Sequence, residues 1–269
     1  MKARFRTAPD RVMVSVHRGL WDPLPENSLA GIRKASQWDV VEIDLRLDEN
    51  DRPFVMHDDT LARTTGALID ADGVAADVLA GLRLKEAAGG DGALLTDEPV
   101  PDIAAAFEAL GGDAIFDLDV KRDKDIEAVA AFVAGLGMES RATLKIDVET
   151  ERDIARLQVL EAQHDVMIMA KVKLLSDADL DVIKMLCTAD VAVVEVFFKT
   201  LDLLQRACDI AGNALRVGVF TLDGIHCCGM SDAKSMDDPD AIWGRLIDAG
   251  VRQIMTDRPN ELSEYISAT

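Results

Sequence analysis

Eight short runs of β-branched and other apolar residues recur along the chain, and this repetition constrains the fold more than any other feature of the sequence. They span residues 12–16, 40–45, 114–120, 142–148, 166–172, 191–196, 216–220 and 253–256. Stretches with helical spacing of apolar residues lie between them, at residues 28–38, 103–110, 124–136, 149–160, 178–186, 201–211 and 239–249. Strands that alternate with helices predict a parallel sheet. A set of eight in roughly 250 residues has the size of a (β/α)₈ TIM barrel of the α/β class.

A doubly wound sheet is the competing architecture, and it predicts a glycine-rich turn after the first strand. The segment after the first run reads HRGLWDP and contains no G-x-G-x-x-G pattern. We therefore expect residues 1–269 to form one barrel domain. Residues 46–101 are too long for an ordinary βα loop. The letters DEND between two alternating runs predict a hairpin arm there, followed by a small loop, as an insertion after the second barrel strand.

Charge and composition exclude several classes of partner. The chain of 269 residues carries a formal net charge of −20, which disfavours nucleic acids and anionic membrane surfaces as partners. No apolar stretch is long enough to span a bilayer, and the first residues lack the apolar core of a signal peptide. These features predict a cytoplasmic protein without stable membrane association. The four cysteines, Cys187, Cys208, Cys227 and Cys228, do not resemble a disulfide framework and predict free thiols.

Carboxylates lie near the ends of the second and third predicted barrel strands, where barrel enzymes carry their catalytic groups. The segment VVEIDL places Glu42 and Asp44 on one face, and IFDLDVKR does the same for Asp117, Asp119 and Lys121. Such oxygen ligands suit a hard divalent cation, Mg²⁺ or Ca²⁺. No thiolate or histidine spacing indicates zinc. The pattern predicts a cation site at the barrel mouth, with Asp117 one pleat deeper as a structural partner.

Ion pairing is the alternative interpretation of the same carboxylates. Glu42 and Asp44 can form salt bridges with Arg46 or Lys121, and Asp119 can pair with Lys121. The sequence alone leaves both interpretations open.

Two histidines complete the set of groups expected at this mouth. His17 and Arg18 follow the first strand, and His57 ends the return strand of the hairpin, where it can fold back towards His17. A cation and basic residues such as Arg18 and Lys121 can neutralise phosphoryl oxygens, while one histidine removes a proton and the other protonates a leaving oxygen. These are the parts needed to cleave a phosphodiester. A histidine that merely ends a strand is the alternative.

Several of these segments form an ordered series of motifs. HRG stands at residues 17–19, PENS at 25–28, EID at 42–44 and HDDTLARTTG at 57–66, and DVK at 119–121 and TDRP at 256–259 follow. In this series, which spans nearly the whole chain, the sequence resembles the glycerophosphodiester phosphodiesterase family. The resemblance implies acid/base catalysis by His17 and His57, phosphate or substrate binding by Arg18, Lys121 and Phe220, and metal binding by Glu42, Asp44 and Asp119.

The sequence departs from the family pattern at two of these positions. Asp119 stands where the family usually has glutamate, so this ligand is shorter. Phe220, in the segment GVFTLDG, stands where the family usually has tryptophan, so the aromatic wall lacks an indole donor. The second departure leaves the alcohol part of the substrate open.

The resemblance implies a metal-dependent phosphodiesterase that hydrolyses glycerophosphodiesters, small-molecule substrates, to glycerol phosphate and an alcohol. A glycerol hydroxyl next to the ester would attack phosphorus, and water would then open the cyclic phosphate. Three alternatives remain. They are a related enzyme acting on a sugar phosphodiester or a lysophospholipid, an enolase-like barrel using Glu42, Asp119 and Glu195 to abstract a proton, and a relative that only binds phosphoesters. The oligomeric state is unknown from the sequence.

Overall fold

A computed structural model describes residues 1–6 and 10–269 of the chain. The strands are β1 Met13–Val16, β2 Val40–Leu47, β3 Pro53–Val55, β4 Arg83–Lys85, β5 Leu95–Pro99, β6 Ile115–Val120, β7 Ala142–Asp147, β8 Met167–Leu174, β9 Val193–Phe198, β10 Arg216–Phe220 and β11 Gln253–Thr256. The helices are α1 Lys2–Arg6, α2 Leu29–Ala35, α3 Ala62–Thr65, α4 Ala76–Gly81, α5 Ile103–Ala109, α6 Ile126–Gly135, α7 Glu151–His164, α8 Leu180–Thr188, α9 Leu201–Ala211, α10 Asp232–Asp237, α11 Arg245–Asp248 and α12 Pro259–Ala268. Short 3₁₀ turns occupy Asp123–Asp125, Glu139–Arg141 and Asp177–Asp179, and a π turn at Asp240–Gly244 precedes α11.

Eight of these strands form a closed parallel barrel, as the alternation of the sequence predicts. Their order is β1, β11, β10, β9, β8, β7, β6 and β2, and pairing of β1 with β2 closes the ring. The strands are apolar on both faces because helices cover the outside and side chains fill the inside. In β8, for example, the residues from Met167 to Ala170 are all buried.

The barrel strands are distributed over two compact units. One consists of Met1–Ser15, Lys145–Gln163 and Met167–Thr269, and the other of Val16–Leu144 and His164–Val166. The second unit contains β2, β6 and the inserted residues between them. Organisation of the whole chain as one domain stays a prediction.

Two predicted helix starts are confirmed by their caps. The Ser28 hydroxyl accepts a hydrogen bond from the Gly31 amide at 3.0 Å, and the Asp102 carboxylate accepts one from the Ala105 amide at 2.8 Å. These side chains satisfy amides that have no partner within their own helix. The caps fix where α2 and α5 begin.

The inserted residues begin with the predicted hairpin arm and continue with more structure than the sequence predicts. β3 pairs antiparallel with β2, with Leu45 opposite Val55 and Leu47 opposite Pro53. Beyond the arm, the predicted loop is wrong, because α3, α4 and a separate two-stranded sheet of β4 and β5 occupy it. Phe54, Met56, Leu61, Ala71, Val74 and Leu79 form the apolar core of this region. Elements of three to six residues are too short to show a periodic pattern in sequence.

The four cysteines are free thiols, as predicted. None of the helices in the described ranges is long and apolar enough to cross a membrane.

Candidate active site

The register between β2 and β6 brings the predicted carboxylates together. Glu42 lies opposite Asp117, and Asp44 lies opposite Asp119. Glu42 and Asp44 are buried, with only 2% and 1% of their surface exposed. One oxygen each from Glu42, Asp44 and Asp119 lies within 4.8 Å of the others, close enough for the three to hold one metal ion. We call these three residues the carboxylate cluster.

Two basic side chains contact the carboxylate cluster. The ammonium of Lys121 lies 2.5 Å from Asp44 Oδ1 and 2.7 Å from Asp119 Oδ2, and Nε of Arg18 lies 3.3 Å from Asp44 Oδ2. Burial alone would raise the pKa of Asp44, but Lys121 and Arg18 hold it below its usual value. Burial likewise opposes the charge on Lys121, and the carboxylates of Asp44 and Asp119 raise its pKa. Of the ion pairs with Lys121 that the sequence offered as an alternative, those of Asp44 and Asp119 are present within the same cluster.

The other predicted ion-pair partner, Arg46, binds elsewhere. Its guanidinium lies 2.6 Å from the carboxylate of Asp59 and 3.0 Å from that of Asp72. The alternative in which Arg46 pairs with Glu42 or Asp44 is wrong. Both carboxylates belong to the inserted residues between β2 and β6, with Asp59 after the hairpin arm and Asp72 between α3 and α4.

The carboxylate cluster has the donor set and the surrounding support of a hard-cation site. Its three ligands are oxygen donors, which Mg²⁺ and Ca²⁺ prefer. The backbone amide of Arg18 donates to Glu42 Oε2 at 2.9 Å, and Nδ2 of Asn27 donates to Asp44 Oδ2 at 2.8 Å. Such outer hydrogen bonds orient ligating carboxylates. The residues present therefore fit a divalent cation, which would share Asp44 and Asp119 with Lys121.

A strained turn after β1 presents His17 and Arg18. Arg18 has φ of +52° and Gly19 has φ of +69°, and a side chain on Gly19 would place its Cβ 3.1 Å from the backbone of Gly31. A left-handed conformation is costly for arginine, and such strain persists only where surrounding contacts fix it. Here the Asn27 amide donates to the Arg18 carbonyl at 2.8 Å. His17, directly before this turn, is half-buried.

The PENS segment contributes two buried side chains to the site. Both carboxylate oxygens of Glu26 accept hydrogen bonds from Nη1 of Arg18, at 3.1 and 3.2 Å, and Glu26 also binds Arg63. Asn27, with φ of +57°, donates to the Asp44 side chain and accepts from the Asp44 amide at 3.2 Å. Asparagine tolerates this left-handed conformation better than most residues. The segment thus orients one arginine and one carboxylate of the site.

The hairpin arm holds His57 next to the carboxylate cluster. The Met56 amide donates to the Asp44 carbonyl at 2.9 Å, and Arg46 donates to the His57 carbonyl at 2.9 and 3.2 Å. Nδ1 of His57 lies 2.7 Å from Asp58 Oδ1, while 37% of the side chain remains exposed. His57 is one of the groups that lower the pKa of Asp44, so it lies within electrostatic reach of the cluster.

The remaining predicted residues have the following positions. Phe220 is the buried last residue of β10, in the first unit, where its ring lies 6.4 Å from that of Phe197. Glu195 belongs to the same unit and pairs with Lys145 at 2.9 Å. Asp117 is buried in β6, and the Thr143 hydroxyl lies 3.4 Å from its carboxylate. The contacts described above bring Arg18, Glu42, Asp44, His57, Asp119 and Lys121 together within the second unit.

Comparisons with known proteins give a family model, curated relatives and solved structures. A family model described as a domain of unknown function, DUF4996, matches residues 168–266. A glycerophosphodiester phosphodiesterase of Bacillus subtilis is 33% identical over 63 residues. That match covers 23% of this chain and 22% of the relative, so the chain spans less than a quarter of the relative's length.

Solved structures match over almost the whole chain. A glycerophosphoryl diester phosphodiesterase from Parabacteroides distasonis is similar with a TM-score of 0.77 at 22% identity, covering 99% of this chain and 90% of that one. A phosphodiesterase from Oleispira antarctica, solved with the product sn-glycerol-3-phosphate, gives a TM-score of 0.68 at 22% identity and covers 95% and 96% of the two chains. The chain has the glycerophosphodiester phosphodiesterase fold. At these identities the likeness shows the fold of this barrel, and the roles of its residues rest on their own geometry.

Within this glycerophosphodiester phosphodiesterase fold, sequence reasoning missed the parts played by Glu26, Asn27 and Arg63. The signal was present, because Glu26 and Asn27 are polar residues in a loop motif of the family resemblance, and Arg63 lies in the HDDTLARTTG segment. Some of their partners are distant in sequence, since Glu26 and Arg63 are 37 positions apart. Spacing along the chain does not predict such contacts.

Proposed function

We propose that the protein is a metal-dependent phosphodiesterase that hydrolyses glycerophosphodiesters to glycerol phosphate and an alcohol. The observation that carries this proposal is the carboxylate cluster, flanked by Arg18, Lys121 and His57 in a barrel of the glycerophosphodiester phosphodiesterase fold. An overall charge of −20 repels an anionic phosphodiester, so local positive charge is needed to bind it.

The basic residues supply part of that positive charge. In the described ranges, Nη2 of Arg18 takes no part in the hydrogen bonds to Glu26, which use Nη1. This nitrogen can therefore donate to a phosphoryl oxygen, and the ammonium of Lys121 is held at the same cluster. A bound divalent cation, Mg²⁺ or Ca²⁺, held by Glu42, Asp44 and Asp119, would add Lewis-acid stabilisation of the phosphoryl oxygens.

His17 and His57 would carry the protons. One imidazole removes the proton from the glycerol hydroxyl next to the ester, and that oxygen forms a bond to phosphorus. The bond from phosphorus to the other alcohol breaks, and the second imidazole gives its proton to the leaving oxygen. In the second step the roles reverse, and water opens the cyclic phosphate to glycerol phosphate. Arg18 and Lys121 hold the phosphoryl oxygens through both steps.

Cleavage of glycerophosphocholine and glycerophosphoethanolamine tests the proposal. The metal-stripped protein is assayed with and without added Mg²⁺ or Ca²⁺, beside His17→Ala and His57→Ala. We expect metal-dependent activity that falls about a hundredfold or more in each variant, since each loses a general acid or base. His164→Ala, at the end of α7, is the matched control and should retain activity. Unchanged activity in the two histidine variants would contradict these roles.

A panel of phosphodiesters separates the remaining possibilities. An analogue that lacks the glycerol hydroxyl next to the ester should be cleaved poorly, and equal rates with and without this hydroxyl would rule out the cyclic route. Faster turnover of a sugar phosphodiester or a lysophospholipid would reassign the substrate while keeping the chemistry. The family resemblance implies substrate binding by Phe220, so we propose that Phe220→Ala changes the order of preference in this panel.

A further inference from the structure

Arg63 contacts two carboxylates that belong to different parts of the candidate site. Nη1 and Nη2 donate to Glu26 at 2.8 and 2.7 Å, and Nε and Nη2 donate to Asp58 at 2.7 and 2.8 Å. Nη1 also donates to the carbonyl of Ala88. These contacts account for all five N–H groups of a guanidinium. Arg63 therefore keeps no donor for a substrate, and its contribution has to act through the residues that it binds.

Through Asp58, Arg63 acts on the ring of His57. Asp58 Oδ1 lies 2.7 Å from Nδ1 of His57 and 2.8 Å from Nη2 of Arg63. Hydrogen bonds from Arg63 hold the pKa of Asp58 well below its usual value. Asp58 is therefore a carboxylate that only accepts hydrogen bonds, and a neutral His57 must carry its proton on Nδ1. This leaves the lone pair on Nε2, the nitrogen that remains available for acid/base chemistry.

Through Glu26, the same guanidinium acts on Arg18. Glu26 has 4% of its side chain exposed and accepts hydrogen bonds from both Arg18 and Arg63. The charge of a buried carboxylate between two arginines is compensated, whereas loss of one arginine removes part of that compensation and one of the contacts that orient the carboxylate. Arg63 thus helps to fix the half-buried guanidinium of Arg18, which contacts both Glu26 and Asp44.

We propose that Arg63 is a positioning residue that fixes the ring of His57 through Asp58 and the guanidinium of Arg18 through Glu26. The catalytic consequence rests on the proposed function, whereas the tautomer of His57 does not. Lysine cannot replace arginine here, because a single ammonium has three donors and cannot bind two carboxylates in a planar, bidentate way.

The first test measures the tautomer of His57 by nitrogen NMR of the imidazole. The full chain is used at about pH 8, where an ordinary imidazole is neutral, and loss of its signal in His57→Gln assigns the resonance. We expect a single tautomer with the proton on Nδ1 in the native protein. Mixed tautomers should appear in Arg63→Lys and in Asp58→Asn. Arg52→Lys, at an exposed arginine in the turn of the same hairpin arm, should keep the native signal.

The second test is the kinetics of glycerophosphocholine cleavage. Loss of orientation should lower kcat about tenfold to a hundredfold in Arg63→Lys, with a smaller change in KM than in kcat. Asp58→Asn should lower kcat to a similar extent, and Arg52→Lys should leave both constants unchanged. Thermal unfolding of each variant checks that the fold is kept. If Arg63→Lys does not fold, the nearly isosteric Asp58→Asn decides.

The two tests separate this inference from the proposed function. A native protein with a fixed Nδ1–H tautomer but no phosphodiesterase activity would reject the function and keep the positioning role. An active enzyme whose tautomer and kcat are unchanged in both Arg63→Lys and Asp58→Asn would overturn the positioning role and keep the function.

Discussion

Asn27 illustrates how much one side chain contributes to the carboxylate cluster. It is buried and makes two hydrogen bonds to Asp44, one to the carboxylate and one from the amide. Its backbone is left-handed, with φ of +57°. The residue therefore combines a conformation that few side chains tolerate with the ability to both donate and accept. Aspartate has a similar size and also tolerates this conformation, but when ionised it only accepts hydrogen bonds, and its charge would repel Asp44.

We predict that Asn27→Ala lowers the free energy of unfolding by about 2–4 kcal/mol. The variant leaves the buried amide of Asp44 without its partner and places alanine in a left-handed conformation. Urea unfolding measures the change. Asn27→Gly removes the same hydrogen bonds without the conformational cost, so it should be destabilised less. Asp51→Ala is the control, because Asp51 is an exposed turn residue with φ of +58° and its replacement reports only the cost of the left-handed backbone. An equal loss of unfolding free energy in Asp51→Ala and Asn27→Ala would contradict a role for the Asn27 side chain.

At the scale of secondary-structure elements, Asp232 links the ends of β10 and β11. Its Oδ1 accepts hydrogen bonds from the hydroxyls of Thr221 and Thr256 at 2.5 and 2.8 Å, and its Oδ2 accepts from the Asp257 amide at 2.7 Å. Thr221 follows β10, and Thr256 is the last residue of β11. Burial raises the pKa of Asp232 to about 6, although the three hydrogen bonds partly oppose this rise. The cost of burying the charge therefore outweighs the hydrogen bonds to the carboxylate, and the folded protein favours the protonated form of Asp232.

This link predicts a stability that depends on pH. Between the unfolded pKa of about 3.9 and the folded value of about 6, the folded state binds more protons at Asp232 than the unfolded state. The stabilisation from this group is complete below the unfolded value and is lost as the pH rises through the folded value. Relative to Asp232→Asn, which does not titrate there, the native protein should lose about 2–3 kcal/mol of unfolding free energy between pH 4 and pH 7.

Urea unfolding of both proteins across this pH range makes the comparison. Thr256→Val removes one donor that lowers the pKa of Asp232, so its pH window should move upward. A difference between native protein and Asp232→Asn that does not vary with pH would exclude the link as a titrating element.

At the scale of the whole molecule, the formal charge of −20 dominates the electrostatics. Mutual repulsion of so many carboxylates destabilises a folded chain, and salt screens it. The carboxylate cluster adds a local concentration of the same charge, partly compensated by Arg18 and Lys121. General screening and specific cation binding should therefore both stabilise the protein, by mechanisms that experiment can separate.

We predict that MgCl₂ or CaCl₂ raises the thermal midpoint more than NaCl at matched ionic strength. A ligand that binds only the folded state stabilises it by about 2.7 kcal/mol at a hundredfold excess over its dissociation constant. Scanning calorimetry of the metal-stripped protein measures the shift. Asp44→Asn should keep the response to NaCl and lose the additional response to the divalent cation. The same additional shift in Asp44→Asn would place the bound cation elsewhere.

The sequence by itself determined the elements of the barrel and the residue types of the site. Runs such as Val40–Leu45 and Arg216–Phe220 predict strands, and the structure has strands there. Sequence is informative at this level because the order of apolar and polar side chains along a short segment indicates its secondary structure. The same local reasoning placed Glu42 and Asp44 on one face, and the register of β2 and β6 confirms that Asp119 lies beside them.

Only the tertiary structure decided which of these charges meet. It placed Arg46 against Asp72 instead of Glu42, and it joined Glu26 to Arg63 across 37 positions. It also folded the residues after the hairpin arm into α3, α4 and the β4 and β5 sheet, where the local pattern indicated a loop. The physical reason is that periodicity is a property of adjacent residues, whereas the partner of a buried charge depends on which distant segments close around it.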